Sequence, residues 1–175
     1  MDLIVDCSRK GIMLCLQGLE ISNPSAKGDE LNSFLDRLLN ENGFELSQVK
    51  RVLVTLGPGS FTGIRAGIAF CEGLCFSGKR TLHGISTLKA LSMCYNETII
   101  LHSRANLYYV GTPESETLEK FETPPKTHED LPIAPFAKLI DNIVPSKTQK
   151  ANYMVNPFSI FPLCPTLGGI QFRNT

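Results

Sequence analysis

The fold of this chain is decided by the stretch Gly57-Pro58-Gly59-Ser60-Phe61-Thr62-Gly63-Ile64-Arg65. An apolar, β-branched run at residues 51–56 precedes it and predicts a buried strand. The residues that follow it carry apolar side chains at the spacing of one helix face, namely Ile64, Ile68, Cys71 and Cys75. The sequence therefore predicts a strand, a tight glycine turn and a helix whose first turn Ser60 and Thr62 can cap.

The glycine turn has two interpretations. In the first, Gly57 and Gly59 let the strand reverse sharply into the helix, and Pro58 fixes one dihedral angle. In the second, the amides at the helix N-terminus hold an anion such as phosphate, using Gly57, Pro58, Gly59, Ser60, Thr62 and Gly63. The stretch lacks the lysine of a Walker A loop, and its third glycine comes one place late for a dinucleotide fingerprint. We favour the structural turn and keep the anion site as the alternative.

Short apolar runs and one amphipathic segment surround this unit. Strands are predicted at residues 3–6, 11–16, 81–85, 98–101 and 107–110, and a helix capped by Ser86 is predicted after the third of them. Residues 29–43 predict another helix, because one apolar stripe is formed by Leu31, Phe34, Leu35, Leu38 and Leu39. The order of these elements predicts an α/β fold, a mixed sheet with flanking helices.

The second half of the chain has a different character. Residues 113–135 are rich in Glu, Thr, Lys and Pro and predict an exposed loop, and residues 136–144 predict one short helix. Apolar fragments broken by Pro157, Pro162 and Pro165 follow. We therefore predict an ordered N-terminal lobe at residues 1–97 and a reduced, partly irregular C-terminal lobe at residues 98–175.

Composition limits the possible functions. The chain has 175 residues, 42% of them hydrophobic, and a formal net charge of +0, which provides no long-range attraction to nucleic acid or to an anionic membrane. The six cysteines lie mostly among apolar residues, as expected for a reducing compartment. The sequence contains no recognisable signal peptide or membrane span. We expect a cytoplasmic protein.

Residues that carry chemistry are scattered. His83, His102 and His128 form no metal-binding pair, and no paired carboxylates lie in the N-terminal lobe apart from those that begin the first helix. Asp6, at the end of a core strand, is interpreted as a cap or turn acceptor in preference to a metal or nucleotide ligand. We predict no catalytic residue and no metal site.

The helix after the glycine turn carries small residues besides its apolar face. Glycines inside a helix cost about 1 kcal/mol each relative to alanine, so they are best tolerated where another backbone comes close. This pattern predicts a helix suited to a partner, with the first helix as its neighbour. The predicted interface consists of Leu31, Leu35, Leu38, Gly63, Arg65, Ala66, Gly67 and Phe70.

The string from Val54 to Gly67, with Gly73-Leu74 and residues 84–88, closely resembles the TsaB (YeaZ) family. Residues 3–8 resemble the opening strand of that family, and residues 30–39 its first helix. The resemblance covers the first 95 residues or so. It implies a ribonuclease H-like fold of the actin and Hsp70 type.

The resemblance also implies a function. Family members are non-catalytic paralogues of TsaD, which they bind and stabilise, and with TsaE that pair transfers a threonylcarbamoyl group to the adenosine next to the tRNA anticodon (t6A). The implied partners are a TsaD-like paralogue, a TsaE-like ATPase and, through the complex, tRNA; a homodimer is possible and a membrane is not expected. No cofactor is expected on the chain alone, and ATP only at the interface with the partner.

The chain departs from the family in its second half, where residues 102–109 keep only the arginine and the last tyrosine of the usual pattern. The closing residues 171–174 resemble the family ending weakly. The alternative function is an M22-type glycopeptidase-like hydrolase or a nucleotide-binding enzyme, and a dinucleotide-dependent oxidoreductase is a third hypothesis. The hydrolase requires a histidine pair that the sequence lacks, and the oxidoreductase an acidic residue that it also lacks.

Overall fold

A computed structural model describes residues 1–152 of the chain. Its eight strands in that range are β1 (Asp2–Asp6), β2 (Ile12–Leu16), β3 (Leu19–Asn23), β4 (Arg51–Thr55), β5 (Thr81–Ile85), β6 (Ile99–Arg104), β7 (Leu107–Gly111) and β8 (Glu116–Lys120). Its α-helices there are α1 (Leu31–Glu41), α2 (Phe61–Cys75) and α3 (Thr87–Tyr95), and 3₁₀ helices cover Gly28–Glu30, Leu46–Gln48 and Ala134–Asn142.

The first five strands form one mixed sheet in the order β3-β2-β1-β4-β5. The pairs β1–β4 and β4–β5 are parallel, whereas β2 runs antiparallel to both of its neighbours. The last three strands form a separate antiparallel sheet, β6-β7-β8. The predicted mixed sheet with flanking helices is confirmed.

Alternating side chains of the large sheet enter two different cores, as the two-residue period of a strand requires. In β1, Leu3 and Val5 pack with α1 and α2 in the first core, whereas Ile4 enters the second core. In β4, Leu53 likewise enters the second core, together with α3, the small sheet and the 3₁₀ helix Ala134–Asn142. This second face of the large sheet is therefore covered by α3 together with the small sheet and that 3₁₀ helix.

The predicted lobe boundary at residues 97 and 98 falls between α3 and β6. The division into two domains stays a prediction, because the parts on either side of it share the second core. The fragments around Pro157, Pro162 and Pro165, and the closing residues 171–174, lie outside the described residues.

Two strands were not predicted. β3 follows β2 through a two-residue turn, Gln17-Gly18, in which both residues have positive φ, 52° and 83°, as in a type I′ hairpin. β8 lies inside residues 113–135, so the prediction that this whole segment is a loop was wrong. Both strands lie at the edge of a sheet, where exposed polar side chains hide the strand pattern.

The segment after the 3₁₀ helix Ala134–Asn142 returns to the large sheet. We call residues 143–152 the strap. The Ser146 amide donates to the Leu82 carbonyl at 2.9 Å, and the Asn152 amide donates to the Leu56 carbonyl at 2.6 Å. His83 Nδ1 donates to the Ile143 carbonyl at 2.7 Å. The strap thus runs beside β5, the edge strand of the large sheet.

Candidate functional site at the carboxyl ends of the parallel strands

Three parallel strands of the large sheet end at the same edge, which is where ligands bind in open α/β sheets. The segments that leave β1, β4 and β5 are Cys7–Arg9, Leu56–Ser60 and Ser86–Thr87. Hydrogen bonds join them directly: the Ser60 amide donates to the Ser8 carbonyl at 2.7 Å, and the Thr87 amide donates to the Gly57 carbonyl at 2.8 Å. We call this meeting point the junction.

The glycines of the turn allow this close contact. A Cβ added at Gly59, whose φ is +151°, would lie 1.9 Å from the Ser8 carbonyl oxygen. A Cβ added at Gly63 would lie 2.1 Å from the Cys7 carbonyl oxygen. Since no side chain fits within those distances, glycine is required at both positions by the approach of α2 to the end of β1.

Part of the hydrogen-bonding capacity at the N-terminus of α2 is already used by other groups of the protein. Ser60 caps the helix by accepting from the Gly63 amide at 3.2 Å, while Thr62 lies exposed in the first turn. The Ser60 amide donates to the Ser8 carbonyl. These contacts agree with the structural turn, and the anion site at residues 57–63 stays a prediction.

Asp6 is the buried charge at the junction, with 1% of its surface exposed. Its Oδ1 accepts from the Ser8 amide at 2.8 Å, from Ser8 Oγ at 2.6 Å and from Thr55 Oγ1 at 2.7 Å. Its Oδ2 accepts from Arg9 Nε at 2.7 Å. Thr87 Oγ1 continues the network by donating to Ser8 Oγ at 2.8 Å. The carboxylate is therefore fully engaged by the protein itself.

Two opposing effects act on Asp6. Burial disfavours the charged form, but the Arg9 guanidinium and the hydrogen bonds from Ser8 and Thr55 outweigh it and hold the pKa of the carboxyl below its ordinary value of 3.8. Asp6 therefore stays ionised at neutral pH.

Arg9 links the two lobes. Besides its ion pair with Asp6, its Nη1 donates to the carbonyls of Glu129 and Leu131, at 3.1 and 2.6 Å. Only a small fraction of Arg9 is exposed. The interpretation of Asp6 as a turn acceptor is confirmed by its bonds to Ser8, and Arg9 extends that turn to the C-terminal lobe.

A cleft of about 350 Å³ adjoins the junction on the side of the small sheet. Lys10, Ser60, His102 and Glu129 are among its lining residues. In residues 1–152 no group of three or more His, Cys, Asp or Glu side chains is placed to hold a metal ion. The same range contains no helix long and apolar enough to cross a bilayer.

Several known proteins are similar to this chain in sequence. Residues 27–112 match the family described as TsaD, tRNA N6-adenosine threonylcarbamoyltransferase. The tRNA threonylcarbamoyladenosine biosynthesis protein TsaB of Haemophilus influenzae is 36% identical over 73 residues, which are 42% of this chain and 30% of that protein. TsaB of Escherichia coli is 34% identical over 55 residues, 31% of this chain and 24% of that protein.

Solved structures agree. YeaZ from Pseudomonas aeruginosa superposes with a TM-score of 0.64 at 20% identity, over 87% of this chain and 98% of that one, which shows the fold. Together these matches support a relationship to the TsaB (YeaZ) proteins. An uncharacterized Pseudomonas aeruginosa protein with similarity to peptidase YeaZ matches with a TM-score of 0.56 at 25% identity, over 71% of this chain and 68% of that one. The fold is thus of the actin-like, ribonuclease H-like type.

The sequence match of this chain spans about a third or less of the curated relatives, 30% and 24% of their lengths. The activity, substrates and partners of those whole proteins are therefore considered below as proposals.

The structure places most of the predicted interface inside the chain. Leu31, Leu35 and Leu38 are buried in the first core, so α1 has no apolar side chain from this stripe left for a partner. Gly67 is buried, and a Cβ added to it would lie 3.4 Å from Cβ and Sγ of Cys7. Ala66 packs against Gly28. The assignment of these residues to a partner surface was wrong, because close approach occurs within the chain.

The remaining predicted interface residues differ in their exposure. Gly63 faces the Cys7 carbonyl, Phe70 is partly buried against the first core, and Arg65 is exposed with its guanidinium 5.4 Å from the Phe61 ring centre. The exposed side of α2 is a different set of residues. We call it the outer stripe, and it consists of Thr62, Arg65, Ala69, Gly73 and Phe76, spaced three or four residues apart.

A groove of about 930 Å³ begins where the outer stripe ends. It lies between the last turn of α2, the start of β5 and the strap, and its lining includes Phe76, Arg80, Leu82 and Lys147. Phe76 is 92% exposed. Sequence patterns did not reveal the groove, because the strap reaches it from a distant part of the chain.

Other functional contacts were also missed. Arg9, Thr55 and Thr87 complete the Asp6 network, and the one available signal was the arginine three residues after Asp6. Hydroxyl residues at the end of a strand and the start of a helix have many ordinary roles, so Thr55 and Thr87 gave no distinct signal.

Proposed function

We propose that this chain is a non-catalytic, partner-stabilising subunit of the machinery that makes t6A in tRNA. The observation that carries the proposal is the state of the junction. At the edge of the sheet where related folds place their chemistry, the buried carboxylate of Asp6 is bound by Ser8, Thr55 and Arg9. An acid that serves catalysis has to reach a substrate, and Asp6 faces its own chain on every side.

The names of the similar proteins support a role in t6A synthesis. Both curated proteins are named for tRNA threonylcarbamoyladenosine biosynthesis, and the family matched at residues 27–112 is named for the transferase. A chain that shares this fold but engages its acidic residue internally fits the role of a supporting subunit. We infer a TsaD-like paralogue as direct partner, with a TsaE-like ATPase and tRNA reached through the complex.

The partner surface that we propose is the outer stripe of α2. Its small residues Ala69 and Gly73 let another helix come close, and Arg65 at its N-terminal end can bind a carboxylate. A Cβ added at Gly73 would meet nothing within 4 Å, so the surface is open. A second copy of this chain is the competing occupant, giving a homodimer.

The proposal extends to cofactor and compartment. We expect no nucleotide to bind the isolated chain, and ATP to bind only at the interface with the partner. The buried thiols of Cys7 and Cys71, whose pKa values burial raises, behave as core residues in a reducing cytoplasm.

Binding to the TsaD-like protein of the same organism tests this function. Titration calorimetry of the two purified proteins should give a saturable complex, and ATP hydrolysis by this chain alone should stay at the level of a buffer blank. Arg65→Glu should weaken the complex, while Lys120→Glu on the small sheet should not. Failure of the unmodified chain to bind, or hydrolysis that disappears in Asp6→Asn, would contradict the proposal.

A further inference from the structure

The groove beside Phe76 has the features of a binding site. We propose that it binds a carboxylate-bearing segment of the TsaD-like partner; the inference rests on the proposed function and adds a second contact beyond the outer stripe. The occupant is a short protein segment that supplies an apolar side chain for Phe76 and acidic side chains for the rim.

The apolar part of the groove is laid out around Phe76. This side chain is 92% exposed, and Ala69, Leu82 and Pro145 line the space next to it. An aromatic ring this exposed contributes little to the stability of the isolated protein. Aromatic residues contribute some of the largest binding free energies when a partner buries them. The lining therefore favours a protein segment that covers the ring.

The charged part of the groove is positive. Arg80 and Lys147 line it, the exposed Lys79 stands beside Arg80, and Glu72 is the acidic lining residue. The Glu72 carboxylate is already engaged, since it accepts from the Gln149 amide at 2.9 Å. An acidic partner segment would complement this excess of positive charge.

The position of the Arg80 charge is fixed. Its Nη1 donates to the Leu74 carbonyl at 3.0 Å and its Nη2 to the Leu46 carbonyl at 2.8 Å. The neighbouring carbonyls of the last turn of α2 are satisfied as well, because Gly73 accepts from Phe76 and Cys75 accepts from Gly78. The negative end of the helix dipole is therefore partly neutralised where the carboxylates would bind.

Single-stranded RNA is the other occupant with negative charge, and two observations disfavour it. More of the groove surface is apolar than polar, and the whole chain has a formal net charge of +0. RNA-binding surfaces need an extended positive track along the backbone. The groove also continues the outer stripe, which suits a helix followed by an acidic segment.

Two variants test the groove by titration calorimetry with the TsaD-like protein at low and at high salt. Phe76→Ala should weaken binding by about tenfold, the loss expected for a central aromatic contact. Lys147→Glu should weaken it by about tenfold at low salt and by less at high salt, because charged contacts are screened. Leu19→Ala and Lys120→Glu, on exposed edge strands of the two sheets, are matched controls that should bind within about twofold of the parent chain.

The outcomes separate the hypotheses. Parent-like affinity of both groove variants, with circular dichroism showing an intact fold, overturns the groove while leaving the proposed function in place. No binding by the parent chain overturns both. If a 20-nucleotide single-stranded RNA binds the parent chain and is lost in Lys147→Glu while partner binding is unchanged, the groove is an RNA site and the proposal is wrong.

Discussion

The two sides of α2 place the same residue types in opposite surroundings. On the inner side, an added Cβ at Gly63 would collide with the Cys7 carbonyl oxygen at 2.1 Å, and one at Gly67 would touch the Cys7 side chain at 3.4 Å. On the outer side, an added Cβ at Gly73 would meet nothing within 4 Å. Glycine inside a helix therefore indicates close approach or open surface equally well, and only the three-dimensional arrangement distinguishes the two.

Arginine shows the same contrast. Arg9 is buried at the junction and binds Asp6 and two carbonyls of the C-terminal lobe, whereas Arg65 projects from the outer stripe. A buried charge with full hydrogen bonding holds structure together, while an exposed charge is available for recognition. Four predictions test this division between a structural inner side and a recognition surface outside.

The largest effect is expected at the glycine turn. Gly59→Val should leave little folded protein, because it adds backbone strain of about 1–3 kcal/mol to a collision with the Ser8 carbonyl. Gly78→Val is the matched control: Gly78 also has positive φ, +71°, but nothing lies within 4 Å of its added Cβ. Soluble yield and urea denaturation distinguish the variants, and equal stability of the two would show that the close contact at Gly59 is unimportant.

Arg9→Met should destabilise the fold by about 3–5 kcal/mol, the cost of leaving a buried carboxylate without its charged partner. Arg65→Met removes the same charge from the outer side and should cost no more than about 1 kcal/mol, the value of its contact with the Phe61 ring. Urea denaturation followed by circular dichroism measures both. If the two variants unfold at the same urea concentration, the inner and outer arginines are equivalent and the comparison fails.

A pair of leucine substitutions separates the two sides of the helix. Gly67→Leu should destabilise the chain by about 1–3 kcal/mol, because the side chain overpacks against Cys7 and Val54. Gly73→Leu should stabilise it by about 0.5–1 kcal/mol through better helix propensity, and should weaken binding to the TsaD-like protein. Thermal unfolding and titration calorimetry test each half, and a loss of stability in Gly73→Leu would place that residue inside a packed region.

The smallest effect near neutral pH comes from the ionisation of Asp6. Because the pKa of Asp6 in the folded protein is lower than its ordinary value of 3.8, its contribution to stability is complete above that value. The contribution is lost as the pH falls through the lowered pKa. In acid, the dependence of the free energy of unfolding on pH should therefore be weaker in Asp6→Asn than in the parent chain. It should be unchanged in Asp36→Asn, a control at an exposed position of α1. Unchanged slopes in both would contradict the assignment.

Much of the N-terminal lobe was predictable because local patterns decide it. The apolar stripe of α1, the strand before Gly57 and the cap at Ser86 depend on residues a few positions apart. The period of α1 predicted which side is apolar but not what covers it, so Leu31, Leu35 and Leu38 were assigned to a partner instead of to their own sheet.

The junction was less predictable because it joins distant residues. Thr55 and Thr87 meet Asp6 and Ser8 only once three parallel strands are aligned. β8 escaped prediction because an edge strand made of Glu, Thr, Leu, Glu and Lys has the composition of a loop. The strap lacks a periodic pattern, and its role depends on the partners it finds on β5.

The strap has a consequence for assembly. An open sheet offers unpaired backbone groups at each edge, and such edges invite aggregation or the addition of a foreign strand. Along β5 the Ser146 amide already occupies the Leu82 carbonyl, and the side chain of Gln149 lies over Gly84. Extension of the large sheet is therefore blocked at this edge, and a complex that forms on this flank has to be built from helices and side chains, not from a continuous sheet.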